Sequence, residues 1–105
     1  MAQFDVYINP NPASRGLVPY VVDVQSRLLS ATATRLMVPL RRLSAAHADL
    51  PRRLVPQVQV RNESFVLYAH QAAPVEACLL KKSVTSLAGQ SADIVGAIGA
   101  VISGV

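Results

Sequence analysis

The sequence predicts a mainly β, α+β fold: a small barrel or strongly bent sheet of five or six short antiparallel strands, closed by one C-terminal helix. Three observations carry this. Apolar and polar side chains alternate in Phe4-Asp5-Val6-Tyr7-Ile8 and in Gln57-Val58-Gln59-Val60, the period of half-buried strands. Turn formers crowd the stretches between such runs. Past residue 86 the period changes, and apolar residues recur at offsets near 3.6.

The elements follow in order. The stretch 9–16 (Asn9-Pro10-Asn11-Pro12-Ala13-Ser14-Arg15-Gly16) is a loop by composition. Leu17 to Val24 is apolar and β-branched, with Pro19 near its start. Proline cannot donate to a ladder, so Pro19 belongs at a strand start or edge, and the two strands form an antiparallel hairpin. After Arg27-Leu28-Leu29 and a small polar run, Leu36 to Leu40 reads as a short strand whose Pro39 again suggests an edge. Arg41 to Pro56 is irregular, with a short helical turn expected over Leu43–Ala48 and stopped by Pro51. Arg61-Asn62-Glu63-Ser64 turns Gln57–Val60 back into Phe65–Tyr68, and Ala77–Leu80 reads as a last strand. In the helix, Leu87, Ile94, Ile98, Val101, Ile102 and Val105 form a bulky stripe expected to pack on the sheet. Gly89, Gly96 and Gly99, with Ala92, Ala100 and Ser103, form a stripe of small residues left free. Ser86 and Ser91 are the candidate N-caps, and Asp93 favours the positive end of the helix dipole.

Length and composition bound the function. A chain of 105 residues is one domain, 1–105, and at this size association is a common way of adding buried area. Half of the residues are hydrophobic, which argues against disorder. The net charge of +4 is concentrated in Arg35, Arg41, Arg42, Arg52 and Arg53, a patch suited to an acidic partner or to nothing more than solubility. No aromatic residue interleaves with these arginines, so a stacking platform for single-stranded nucleic acid is not expected.

Enzyme chemistry is sparse. His47 and His70 have no ligand-like spacing to each other or to Cys78, so no metal and no cofactor is expected. Cys78, in an apolar run, reads as an inert core thiol. The one catalytic set worth testing, for RNA cleavage, is Asp23, Arg35 and His70. The N-terminus has no signal-peptide pattern, and the apolar end is too short for a membrane span of roughly 20 residues, so a cytoplasmic protein without membrane association is expected. The ending Ile102-Ser103-Gly104-Val105 carries no polar tail. An apolar terminus of this kind is expected to serve as a surface that grips another protein.

Several collinear stretches resemble the CcdB family of toxins from bacterial toxin–antitoxin modules. They are Gln3-Phe4-x-Val6-Tyr7, then Val22-Asp23-Val24-Gln25-Ser26 with Leu28-Leu29, then Arg35 and Val38-Pro39-Leu40. Leu54-x-Pro56, Val60-x-x-Glu63-Ser64-Phe65, Asp93-Ile94-x-x-Ala97-Ile98 and Gly104-Val105 follow. The resemblance implies an SH3-like barrel with a C-terminal helix, a homodimer and no catalysis. It implies binding to the A subunit of DNA gyrase, poisoning of the gyrase–DNA complex, neutralisation by a cognate antitoxin, and contact with operator DNA only through that antitoxin. Carried over to this sequence, the target-binding positions are Leu28, Leu29, Gly99, Ile102, Ser103, Gly104 and Val105. Ser103 stands where the family has Trp, Ile102 where it has Phe, and Gly99 where it has Asn. Arg41, Arg42, Arg52 and Arg53 are the positions expected to meet an acidic antitoxin tail. The alternatives are a CcdB-like protein with a different or lost target, and a small endoribonuclease toxin of related fold.

Overall fold

A nine-residue strand organises the molecule, seen here as a computed structural model that describes residues 2–43 and 50–104. This strand is β3, Thr34–Arg42. On one side it pairs antiparallel with β2 (Tyr20–Asp23), which pairs with β1 (Asp5–Ile8), which pairs in turn with the two-residue β7 (Thr85–Ser86). Its other side is shared. Leu40–Arg42 pair with β5 (Glu63–Leu67), and Thr34–Met37 pair with β6 (Ala73–Glu76). The strand β4 (Gln57–Val60) completes a hairpin with β5. The sheet runs β4-β5-β3-β2-β1-β7 and curls into a nearly closed antiparallel barrel, with the helix α1 (Ser91–Ser103) packed on it. This is the small SH3-like barrel with a C-terminal helix that the sequence predicted.

The expected edge strand around Pro39 is instead central, and the geometry explains why proline is tolerated there. The Pro39 carbonyl accepts from the Tyr68 N–H, so the Pro39 nitrogen faces the same side of β3. That side is where pairing passes from β5 to β6, and no ladder bond is needed from residue 39. The expected strand at Ala77–Leu80 is a 3-10 turn, Ala77–Leu79, with only Leu80 buried behind it. Its place is taken by β6, immediately upstream. The β4–β5 hairpin turns on two residues, Arg61 and Asn62, both in the left-handed region with φ of 52° and 65°. The helical turn expected over Leu43–Ala48 falls mostly on residues 44–49, outside the described residues, as does His47.

The sheet has two apolar faces. On one, Val6, Val22, Val24, Val38, Leu40, Val58, Val60, Phe65 and Leu67 meet Ile94 and Ala97 of α1. Tyr20 packs edge-on against Phe65, with ring centres 5.3 Å apart. On the other, Tyr7, Val21, Met37 and Leu80 form a smaller cluster. Burial pushes the Tyr7 hydroxyl above its ordinary pKa of 10.0, Asp5 and Asp23 push the same way, and Arg35 opposes them. A raised phenol pKa contributes stability that is full below about pH 10 and is lost as pH climbs through the folded value. Tyr7→Phe is therefore expected to flatten the loss of stability above about pH 10, read as the urea midpoint at neutral and at alkaline pH.

Helix α1 turns out differently from the expected stripes. Its buried residues are Ile94, Ala97 and Ala100, with Ile98 half-buried, while Val101 and Ile102 face outward. Leu87 is buried but precedes the helix, and Val105 lies outside the described residues. Small residues thus serve the inner face as well as the outer one. Ser91 opens the helix rather than capping it, and Ser86 caps no helix: Leu87 stands at the N-cap of the preceding 3-10 turn, Ala88–Gln90, while Ser86 Oγ accepts from the Ala88 N–H one residue further back. The end is closed by Gly104, at φ 72°, whose N–H bonds the Ala100 carbonyl. A side chain there enters the left-handed region, so Gly104→Ala is expected to cost about 1–2 kcal/mol at this terminus, read as faster amide exchange over the last turn.

Candidate protein-docking site

The most exposed large apolar side chains sit on two separate elements. Leu28 is 94% exposed and Ile102 82% exposed; Leu29 is about half exposed. Folding leaves such side chains in water at no gain, so their value lies in what they can bury later.

Leu28 and Leu29 ride on the 3-10 turn Arg27–Leu29, and the sequence fixes this turn locally. Ser26 caps it, its Oγ accepting from the Leu28 N–H at 3.1 Å. Beneath it lies a polar cluster from the stretch Asp23–Gln25. Alternation along β2 sends Val22 and Val24 into the main core and puts Asp23 on the opposite face, where it is buried. Arg35 donates to Asp23 Oδ2 from Nε at 2.9 Å and from Nη2 at 2.8 Å, and both side chains are buried, at 3% and 0% exposure. Asp23 Oδ1 accepts from the Gln25 N–H. Buried charge is tolerated only when paired and hydrogen-bonded in this way.

At the helix end, Ser103 Oγ bonds the Gly99 carbonyl at 2.8 Å, folding the hydroxyl back on its own helix. Gly99, Ser103 and Gly104 are exposed. A Cβ built on Gly96 or Gly99 meets no atom within 4 Å, so neither glycine is there for packing inside this chain.

The arginines divide. Arg35 leaves the basic patch for the core. Arg42 donates from Nε to the Gly16 carbonyl and from Nη1 to Glu63 at 2.7 Å, tying the loop 9–16 to the start of β5. The Arg41 guanidinium lies 5.1 Å from the Tyr68 ring centre, and its buried Nε has no hydrogen-bond partner among the described residues. Arg52 and Arg53 are exposed and line a groove of about 210 Å³ against Ala92, Asp93 and Gly96 of α1. This neighbourhood, which joins two parts of the chain some forty residues apart, had no signal in the sequence.

The trial catalytic set is not assembled. Asp23 and Arg35 are locked to each other away from solvent, and His70 stands on the turn Ala69–Gln71, exposed and stacked on Tyr68 at 5.1 Å. Cys78 is exposed rather than in the core, its Sγ 3.8 Å from Glu76 Oε2. Among the described residues, no three His, Cys, Asp or Glu side chains converge as metal ligands, and no helix is long and apolar enough to cross a membrane.

The barrel with its terminal helix agrees with the comparisons. The sequence profile of the family described as CcdB protein matches residues 3–104. The chain belongs to the CcdB family. Membership makes this CcdB-family chain a toxin of the toxin–antitoxin class. Among solved structures, it is similar to the Mycobacterium tuberculosis toxin MazF-mt6, with a TM-score of 0.68 and 14% identity over 93% of this chain and 95% of that one. At that identity the likeness is one of fold. No curated protein sequence matches the chain.

Proposed function

We propose that this CcdB-family toxin acts by docking, as a homodimer, on the A subunit of DNA gyrase and trapping the enzyme on cleaved DNA. Leu28 and Leu29 form one contact and Gly99, Ile102, Ser103, Gly104 and Val105 the other. The observation that carries the reading is the exposure of Leu28 and Ile102, one on the Ser26-capped turn and the other on the last turn of α1. Family membership over residues 3–104 supports the choice of target. A two-fold dimer presents every such projection twice, which suits a two-fold symmetric target.

Neutralisation falls to a cognate antitoxin whose acidic tail meets Arg52 and Arg53, with Arg41 and Arg42 as further contacts. The protein works in the cytoplasm, touches operator DNA only through the antitoxin and uses no catalytic side chain of its own. Burial of Asp23 and Arg35 in one ion pair supports that last point, because neither can reach a phosphate. The competing reading, an RNA-cleaving toxin, is tested with the same sample. Incubation with RNA alone is expected to leave it intact, and titration with a gyrase A fragment is expected to give saturable binding. Cleaved RNA, or no binding, overturns the proposal.

A further inference from the structure

We infer that Gln25 is the positioning residue of the Leu28–Leu29 projection: its amide clamps the turn so that both leucines are presented ready to dock. The inference rests on the docking role proposed for these leucines. Gln25 is buried, yet its side chain reaches across the whole loop 26–34. Nε2 shares its two N–H groups among three acceptors: the Leu29 carbonyl at 3.0 Å, Thr32 Oγ1 at 2.7 Å and the Thr34 carbonyl at 3.1 Å. Oε1 accepts from the Leu36 N–H at 2.9 Å. Thr32 Oγ1 in turn has its single proton within reach of two carbonyls, that of Thr34 at 2.7 Å and that of Leu29 at 3.0 Å. One amide therefore gathers the end of the turn, the middle of the loop and the start of β3.

The base of this clamp is rigid, because the Gln25 N–H is held by Asp23, itself fixed by Arg35. Above it, no side chain of the turn Arg27–Leu29 is buried. Packing cannot fix that turn, and hydrogen bonds must. An exposed leucine on a wandering loop loses affinity through the cost of ordering it on contact; one held in place beforehand does not. A core-only role for Gln25 explains the bonds to Leu36 and Thr34 of β3, but not the Leu29 and Thr32 acceptors in the loop that carries the leucines.

Gln25→Glu separates the two halves of the amide. It keeps an oxygen for the Leu36 N–H and removes the donors to the loop. Amide exchange at Ser30 and Thr32 is expected to quicken at least tenfold, with core amides such as Val22 and Val38 changed by less than about twofold. Affinity for a gyrase A fragment is expected to fall at least tenfold, and the loss is expected to shrink in a Leu28→Ser background, because the clamp acts through that side chain. Thr32→Val, at an exposed position, gives a milder version of the same exchange pattern if Gln25→Glu folds poorly. Unchanged exchange at Ser30 and Thr32 in both variants overturns the clamp, as does a loss of affinity equal in the wild-type and Leu28→Ser backgrounds. If the wild-type protein does not bind the gyrase fragment, the docking reading falls, and the exchange result still decides whether Gln25 fixes the turn.

Discussion

Arg35→Met is expected to destabilise the protein by about 3–5 kcal/mol, the cost of leaving a buried carboxylate without its partner. Asp23 has nowhere to turn. It is fully buried, and among the described residues its Oδ2 is bound only by Arg35 and its Oδ1 takes a single backbone N–H, from Gln25. A domain of this size has about 5–15 kcal/mol in total, so the variant is expected to unfold at far lower urea and to be partly unfolded at physiological temperature. The companion experiment separates the pair from its parts. Asp23→Leu together with Arg35→Met removes both charges and leaves apolar groups of similar reach. Such replacements are often neutral, so most of the lost stability is expected to return, apart from about 1 kcal/mol for the orphaned Gln25 N–H. Urea midpoints of the two single variants and the double variant close this cycle. A double variant as unstable as the sum of the singles would show that the two residues act independently.

The second large effect concerns binding alone. Leu28→Ser and Ile102→Ser are each expected to leave stability within about 0.5 kcal/mol, because neither side chain packs on the fold. Each is expected to weaken gyrase A binding at least tenfold, since fully burying such a side chain is worth about 1.5–3 kcal/mol. Ser103 supplies the opposite sign. Its hydroxyl is spent on the Gly99 carbonyl, and its position is exposed at the end of α1. A tryptophan anchor in a desolvated pocket is worth about 2 kcal/mol or more, so Ser103→Trp is expected to raise affinity about thirtyfold. Titration of the three variants against one gyrase A fragment reads all of these effects on a common scale.

Particular residues show what could be read before folding. The alternation in Phe4–Ile8 and Gln57–Val60, and the turns between them, placed β1, β2, β4 and β5, because period and turn chemistry are local properties. The central place of β3 was hidden by Pro39, since which side of a strand lacks a donor depends on its neighbours. The strand β6 was missed because Ala73-Pro74-Val75-Glu76 pairs only with the distant Thr34–Met37. The helix was clear but its inner face was not. Its bulky residues suggested a buried stripe running on to Val105, whereas the buried residues are Ile94, Ala97 and Ala100 with Ile98 packed partly against the core, and Val101 and Ile102 stay exposed. Asp23 and Gln25 were visible as polar residues alternating with Val22 and Val24. That pattern already places them on one face of β2, and it could have marked them as scaffold. Their partners at Arg35, Thr32 and Leu36 come from a loop closure that no local rule supplies.

The proposed function requires that the protein acts by binding and breaks no bond itself. The most direct test adds the purified protein to gyrase, supercoiled DNA and ATP and follows linear DNA after denaturing the enzyme, with Leu28→Ser and Ile102→Ser alongside. Linear DNA is expected to accumulate with the wild-type protein and to fall with either variant. Undamaged DNA at every concentration, or equal cleavage with all three proteins, would contradict it.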